Sequence, residues 1–184
     1  MSHISVGAEY GLHCLLFLVD APEAGSAPSA RDLADLQGVP AEYLAKIFTK
    51  LQKAELVVAT EGVRGGMRLA RAPRDISVLD VVKAIDGDRA LFDCREVRGR
   101  CLLFEGQSID WEKQGVCSIH AVMLEADKQM REVLARHSLA EISQRVVAKA
   151  PRYAASASEW LLGRGESRRG SDAAALRCNS GAKQ

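Results

Sequence analysis

The chain has 184 residues, 47% of them hydrophobic and 27% charged, and a formal net charge of +1. That composition excludes a disordered or fibrous protein, fits one domain or a small domain with an appended arm, and gives overall charge no role in attracting a polyanion. No apolar run reaches the roughly 18 residues of a membrane helix, and the N-terminus lacks a secretory pattern. A cytoplasmic location is therefore expected. There, the five cysteines Cys14, Cys94, Cys101, Cys117 and Cys178 favour metal or redox chemistry over a disulfide scaffold.

Residues 4–20 read as an amphipathic helix stopped around Pro22 and Gly25. Within it, "AEYGLHC" puts Glu9 and His13 four apart, on one face. Next, Ser29 and Asp32 form a capping-box variant for a short helix that ends at Gly38. A second helix opens at Pro40 and carries Leu44, Ile47, Phe48 and Leu51 on one stripe. Two helices joined by a tight glycine turn make a helix-turn-helix. "LVVAT" and "MRLAR", separated by the glycine-rich "EGVRGG", read as a β-hairpin. The sum is a winged helix. "SVLDVVKAIDG" supplies a further helix between the cap Ser77 and Gly87.

Periodicity then lapses, and residues 88–117 read as a long loop with three cysteines. From Ser118 to about Ala148 one apolar stripe continues through Ile119, Val122, Met123, Ala126, Met130, Val133 and Leu134. A helix of about 30 residues would span ~45 Å, too long for so small a domain to bury, so it is expected to pack on its copy in a dimer. The Ser-, Gly- and Arg-rich end reads as a mobile tail. The expected fold is mainly α with a small β-hairpin. Residues 1–87 form a winged helix-turn-helix DNA-binding domain, 88–117 a cysteine loop, 118–150 a long dimerisation helix and 151–184 the tail.

Three features carry chemistry. From Pro40 to Arg74 there are seven Lys or Arg against three Glu, an excess of four positive charges. The helix from Pro40 turns Tyr43, Lys46, Lys50 and Lys53 away from its apolar stripe, as a recognition helix in a major groove requires. Arg64 at the wing tip would reach a minor groove or a phosphate. The alternative use of such a face is protein contact. Second, Cys94, Cys101 and Cys117 lie in one loop with Arg95, Arg98 and Arg100, surroundings that favour thiolates. His120 follows Cys117 by three. This spacing is neither a zinc ribbon nor a ferredoxin run, and ordinary buried thiols are the competing reading. Third, Glu9 and His13 are either an exposed i, i+4 pair or ligands. Nothing resembles a nucleophile elbow or phosphate loop, so no enzyme is expected.

In this order the residues resemble the Rrf-two family of bacterial transcription regulators, the group containing IscR, NsrR and RsrR. The likeness runs from about Ile4 to Arg145, and "EYLAKIFTKLQKAELV" and "GVRGGMRLAR" are its most specific stretches. The resemblance implies a homodimeric winged-helix repressor that reads a near-palindromic duplex and holds an iron–sulfur cluster whose state sets DNA affinity. It also implies DNA contacts from Ser29, Arg31, Tyr43, Lys46, Lys50, Arg64, Gly65 and Gly66. In the RsrR-like branch two loop cysteines are joined by a Glu and a His of the first helix. Glu9 and His13 keep that spacing, so a [2Fe–2S] site is favoured over a [4Fe–4S] one. Cys117 is one expected thiolate, and Cys94 and Cys101 compete for the other. In the IscR-like branch a histidine follows the last loop cysteine, which makes His120 the alternative ligand. At the wing arginine position of that branch stands Glu61. The signal would be redox state, nitric oxide or cluster loss. A cluster-free thiol switch of the same fold, or a zinc site, is the remaining alternative.

Overall fold

Four serine-led caps set where the helices begin. The computed structural model describes residues 4–19, 27–60, 65–102 and 115–180, with side chains in the last helix as far as Ser167. Among these, α1 (Val6–Leu16) starts at Ser5, α2 (Ala30–Gln37) at Ser29, α4 (Val78–Asp86) at Ser77 and α6 (Leu139–Lys149) at Ser138. In the last three a carboxylate three residues on, Asp32, Asp80 or Glu141, returns the bond to the cap backbone. Each box satisfies two N–H groups that the helix start leaves unpaired. Gly38 ends α2 in the left-handed conformation at φ 64°, the geometry that costs a glycine least.

Helix α3 (Ala41–Lys53) lies at the centre of the fold and buries Leu44, Ile47, Phe48 and Leu51 against α1, α2 and α4. Leu15, Leu33, Leu56, Ile76 and Val81 close the same core. Each such side chain contributes roughly 1.5–3 kcal/mol by leaving water. Strands β1 (Val57–Thr60) and β2 (Gly66–Leu69) pair antiparallel, with Val57 opposite Leu69 and Thr60 opposite Gly66. Helix-turn-helix, hairpin and α4 therefore stand as expected, and the fold is mainly helical with one small sheet.

Three expectations are corrected. The first helix is shorter than 4–20, because after Leu16 the chain turns through Phe17–Val19 on bonds such as Leu18 N–H to the Leu15 carbonyl, 3.0 Å. The single helix expected over 118–148 is two, α5 (Ser118–Ala135) and α6. Two backbone bonds break it. The Val78 N–H donates to the His137 carbonyl and the Leu139 N–H to that of Ile76, both at 2.9 Å. Ser138 is thus extended and bridged antiparallel to Ser77 at the start of α4, and its capping box restarts the helix. Finally, the segment expected as a tail is helical. Helix α7 (Pro151–Ser180) buries Ala157 and Leu161 and packs on α6 and α2.

Helix α5 differs from all this. It contains no buried residue, and Ile119 and Val122 are each 65% exposed.

Candidate functional site

The outer side of α3 is set by its buried stripe. At 100° per residue, Glu42, Lys46, Thr49 and Lys53 lie opposite Leu44, Ile47, Phe48 and Leu51, and all four are exposed. Tyr43 and Lys50 occupy one flank and are held by neighbours. The Tyr43 ring meets Tyr10 of α1 edge-on at 6.1 Å. The Lys50 ammonium donates to the Ile85 carbonyl at 2.6 Å, on the negative end of α4. Lys46 and Lys53 therefore remain free of such ties on the outer face, while Tyr43 and Lys50 also fix α3 against α1 and α4.

Ser29 and Arg31 sit at the start of α2. The Ser29 hydroxyl donates to Asp32 at 2.7 Å, and Arg31 is exposed. In the wing, Gly66 has a packing role that the sequence reading missed. A Cβ there would lie 2.1 Å from the Ala27 carbonyl oxygen, and the next N–H, of Met67, donates to the Pro28 carbonyl at 2.8 Å. Strand β2 is thus laid directly on the segment leading into α2. Gly65 is half-buried beside it. Arg68 donates to Thr60 across the hairpin at 3.3 Å. Glu61 and Arg64 lie outside the described residues.

The cysteine loop folds around one arginine. Arg98 grips Glu96 through two bonds, 2.5 Å from Nε and 2.8 Å from a terminal nitrogen, and also donates to the Gly115 carbonyl at 3.3 Å. The last bond ties the short 3-10 turn Val97–Arg100 to the residues just before Cys117. The guanidinium is held above its ordinary range chiefly by the Glu96 hydrogen bond, and further by negative charge on Glu96, Cys117 and Cys94. Arg98 in turn keeps the Glu96 carboxyl below its usual range. Cys94 and Cys117 are both half-buried. Arg95 and Arg100 are exposed. Cys101, also half-buried, follows the 3-10 turn. His120, three residues into α5, lies with its ring 5.9 Å from Phe92.

Glu9 and His13 are both exposed on α1. They form part of the wall of an apolar groove of about 320 Å³ lined also by Leu12, Leu16, Leu139 and Val146. Cys14 points the other way, into the core, where burial pushes its thiol up to about 12 and removes it from thiolate chemistry. Among the described residues, no three His, Cys, Asp or Glu side chains of one chain come together as a metal site. The donors form two half-sets, thiols in the loop and a carboxylate with an imidazole on α1. Thiolate, imidazole and carboxylate are fitting ligands for iron. No described helix is long and apolar enough to cross a membrane.

A winged helix with a basic outer helix, a cysteine loop and an uncovered apolar helix defines a DNA-binding regulator of the Rrf2 type. Residues 4–145 match the family model Rrf2, described as an iron-dependent transcriptional regulator. The chain belongs to the Rrf2 family of DNA-binding transcriptional regulators, and so to a family of regulators and not of enzymes. It is 31% identical over 140 residues to Protein rrf2 of Nitratidesulfovibrio vulgaris, covering 76% of this chain and 85% of that one. Other curated relatives match over little more than half their length. Among solved structures, IscR of T. potens is similar at 27% identity and a TM-score of 0.56, over 78% of this chain and 87% of that chain. CymR, the global cysteine regulator of B. subtilis, shares the fold at 21% identity and a TM-score of 0.58, over 79% and 98%.

Proposed function

We propose that this regulator holds a [2Fe–2S] cluster between the cysteine loop of one subunit and α1 of a second, as in the RsrR-like branch, and that the state of the site sets its affinity for an operator. The observation that carries the reading is the tie made by Arg98. Its side chain grips Glu96, two residues after Cys94, and donates to the Gly115 carbonyl, two residues before Cys117. That supports Cys94 and Cys117 as the loop's two ligands, with Cys101 outside the set and His120 in reserve beside Phe92. Glu9 and His13, one turn apart and exposed, supply the other half from the second copy. A bound cluster would provide a one-electron couple, with a potential raised by imidazole in place of thiolate.

The chain's own part is to hold and release. Arg98 holds together the stretches that carry Cys94 and Cys117, through Glu96 and the Gly115 carbonyl. A site shared across subunits ties α1, and through α1 the α3 that rests on it, to the neighbouring loop. A change in charge at the site then alters the spacing of the two α3 helices. A shift of 1.4 kcal/mol suffices for a tenfold change in affinity. In this reading residues 1–87 bind DNA, 88–117 form the cluster loop and 118–150 the dimer contact. The dimer represses by reading a near-palindrome with half-sites about one helical turn apart.

Anaerobic purification followed by a visible spectrum and iron and sulfide assays tests the reading. The expected result is a coloured protein with about two irons and two sulfides per subunit. Cys94→Ser, Cys117→Ser, Glu9→Ala and His13→Ala should each lose the colour, and Cys101→Ser should keep it. The same Arg98 tie between the stretches carrying Cys94 and Cys117 favours a second reading, a thiol switch. That protein would be colourless after reconstitution, and its DNA binding would follow disulfide reductants.

A further inference from the structure

Helix α7 begins after the stretch matched to the family, which ends at residue 145. It nonetheless reaches into the DNA-binding half. Its first turn brings Tyr153 against Phe17 at 6.3 Å, and Ala157 and Leu161 enter the core. One turn later Arg164 lies 5.2 Å over the Trp160 ring. Its guanidinium pairs with Asp35 and, at 3.4 Å from Nε, with Asp32.

Asp32 is the informative partner. It is buried, and its other oxygen accepts from the Ser29 N–H at 2.8 Å and from the Ser29 hydroxyl at 2.7 Å. One residue before Ser29, the Pro28 carbonyl receives the wing bond from Met67. A single carboxylate thus joins α7 to the start of α2 and, through it, to the wing. Asp32 and Asp35, three apart on one face of α2, would also repel an approaching phosphate backbone, and Arg164 is set against both.

We propose that Arg164 is a positioning residue for DNA binding: acting through Asp32, it holds Ser29 and the α2–wing junction in the arrangement that meets phosphate. The proposal rests on the reading of Ser29 as a DNA contact and adds to it a regulator-specific strut from outside the family segment.

The test uses the full chain, purified anaerobically, and a duplex that the wild-type protein selects from random sequence. Arg164→Gln should weaken binding about tenfold, as a net loss of one charge-assisted contact would. Thermal melting monitored alongside should change little, and Arg164→Lys should recover binding to within about threefold. The slope of log affinity against log salt should stay at the wild-type value, since Arg164 itself touches no phosphate. In a Ser29→Ala background, Arg164→Gln should add less than about twofold, because both act on one contact. Wild-type binding by Arg164→Gln overturns the proposal, as does a salt slope reduced by about one, or full additivity with Ser29→Ala. If Ser29→Ala alone leaves binding unchanged, the DNA-contact reading fails. If Ser29→Ala weakens binding and Arg164→Gln does not, only the strut fails.

Discussion

Helix α3, 13 residues long, buries four large apolar side chains, whereas α5, with 18 residues, buries none. Both carry apolar residues at helical spacing, so the pattern alone does not distinguish them. The difference lies in what one chain supplies. Around α3 the chain provides α1, α2, α4 and β1, and the stripe closes on itself. Around α5 it provides chiefly α4 and the segment after it, where Arg131 pairs with Asp88 and donates to the Arg89 carbonyl, and leaves Ile119, Val122 and Val133 open. The cysteine loop leading into α5 carries three half-buried thiols, and among the described residues no three donors come together as a metal site. One half of the molecule is finished by its own sequence, and the other leaves an apolar face that, in the proposed reading, a second copy covers.

The sharpest contrast is between Phe48→Ala and Val122→Asp. The first should cost about 3–5 kcal/mol, read by denaturant unfolding, because it empties a filled core. The second should leave the helical spectrum intact and convert a sedimenting dimer to monomer, lowering operator affinity by roughly 10²-fold or more as the second half-site is unlinked. A dimeric Val122→Asp would break the comparison. Within the finished half, Gly66→Ala should cost about 1–3 kcal/mol, since the Ala27 carbonyl must yield to the new methyl group. A neutral result in the same unfolding assay would mean that the wing does not rest on that segment. The smallest effect falls at the join of the halves. Ser138→Ala should lose about 1 kcal/mol with its cap. A gain in stability and helix content would mean that α5 and α6 run as one helix.

What was legible in the sequence follows the same division. The helix-turn-helix, wing and α4 were written in local signals: Ser29 with Asp32, Gly38, the stripe from Leu44 to Leu51, and Ser77 with Asp80. The break at 136–138 was written locally too, as Ser138 with Glu141. It was masked because apolar residues keep helical spacing on both sides of it. Only the distant pairing with Ile76 and Val78 decides between one helix and two. Helix α7 was missed because its composition is that of a tail, and its docking rests on a few positions, Tyr153, Ala157, Leu161 and Arg164. At the site, the donors and their spacing were visible, but the choice among the loop cysteines was not. Nor was the bond from Arg98 to the Gly115 carbonyl, a contact across 17 residues. Likewise Gly66 carried a DNA expectation, while its place against Ala27 gives it a packing task as well.

The central claim is that the site is completed between copies, and a mixed dimer tests it most directly. Glu9→Ala/His13→Ala and Cys94→Ser/Cys117→Ser chains are each purified anaerobically, then mixed, exchanged and reconstituted with iron and sulfide. Each parent dimer should remain colourless. A dimer with one chain of each kind keeps one intact set, thiols from the first chain and α1 ligands from the second, and should hold half the wild-type iron with the wild-type absorption spectrum. A mixed dimer, verified by mass, that stays colourless while wild type reconstitutes under the same conditions would contradict the account.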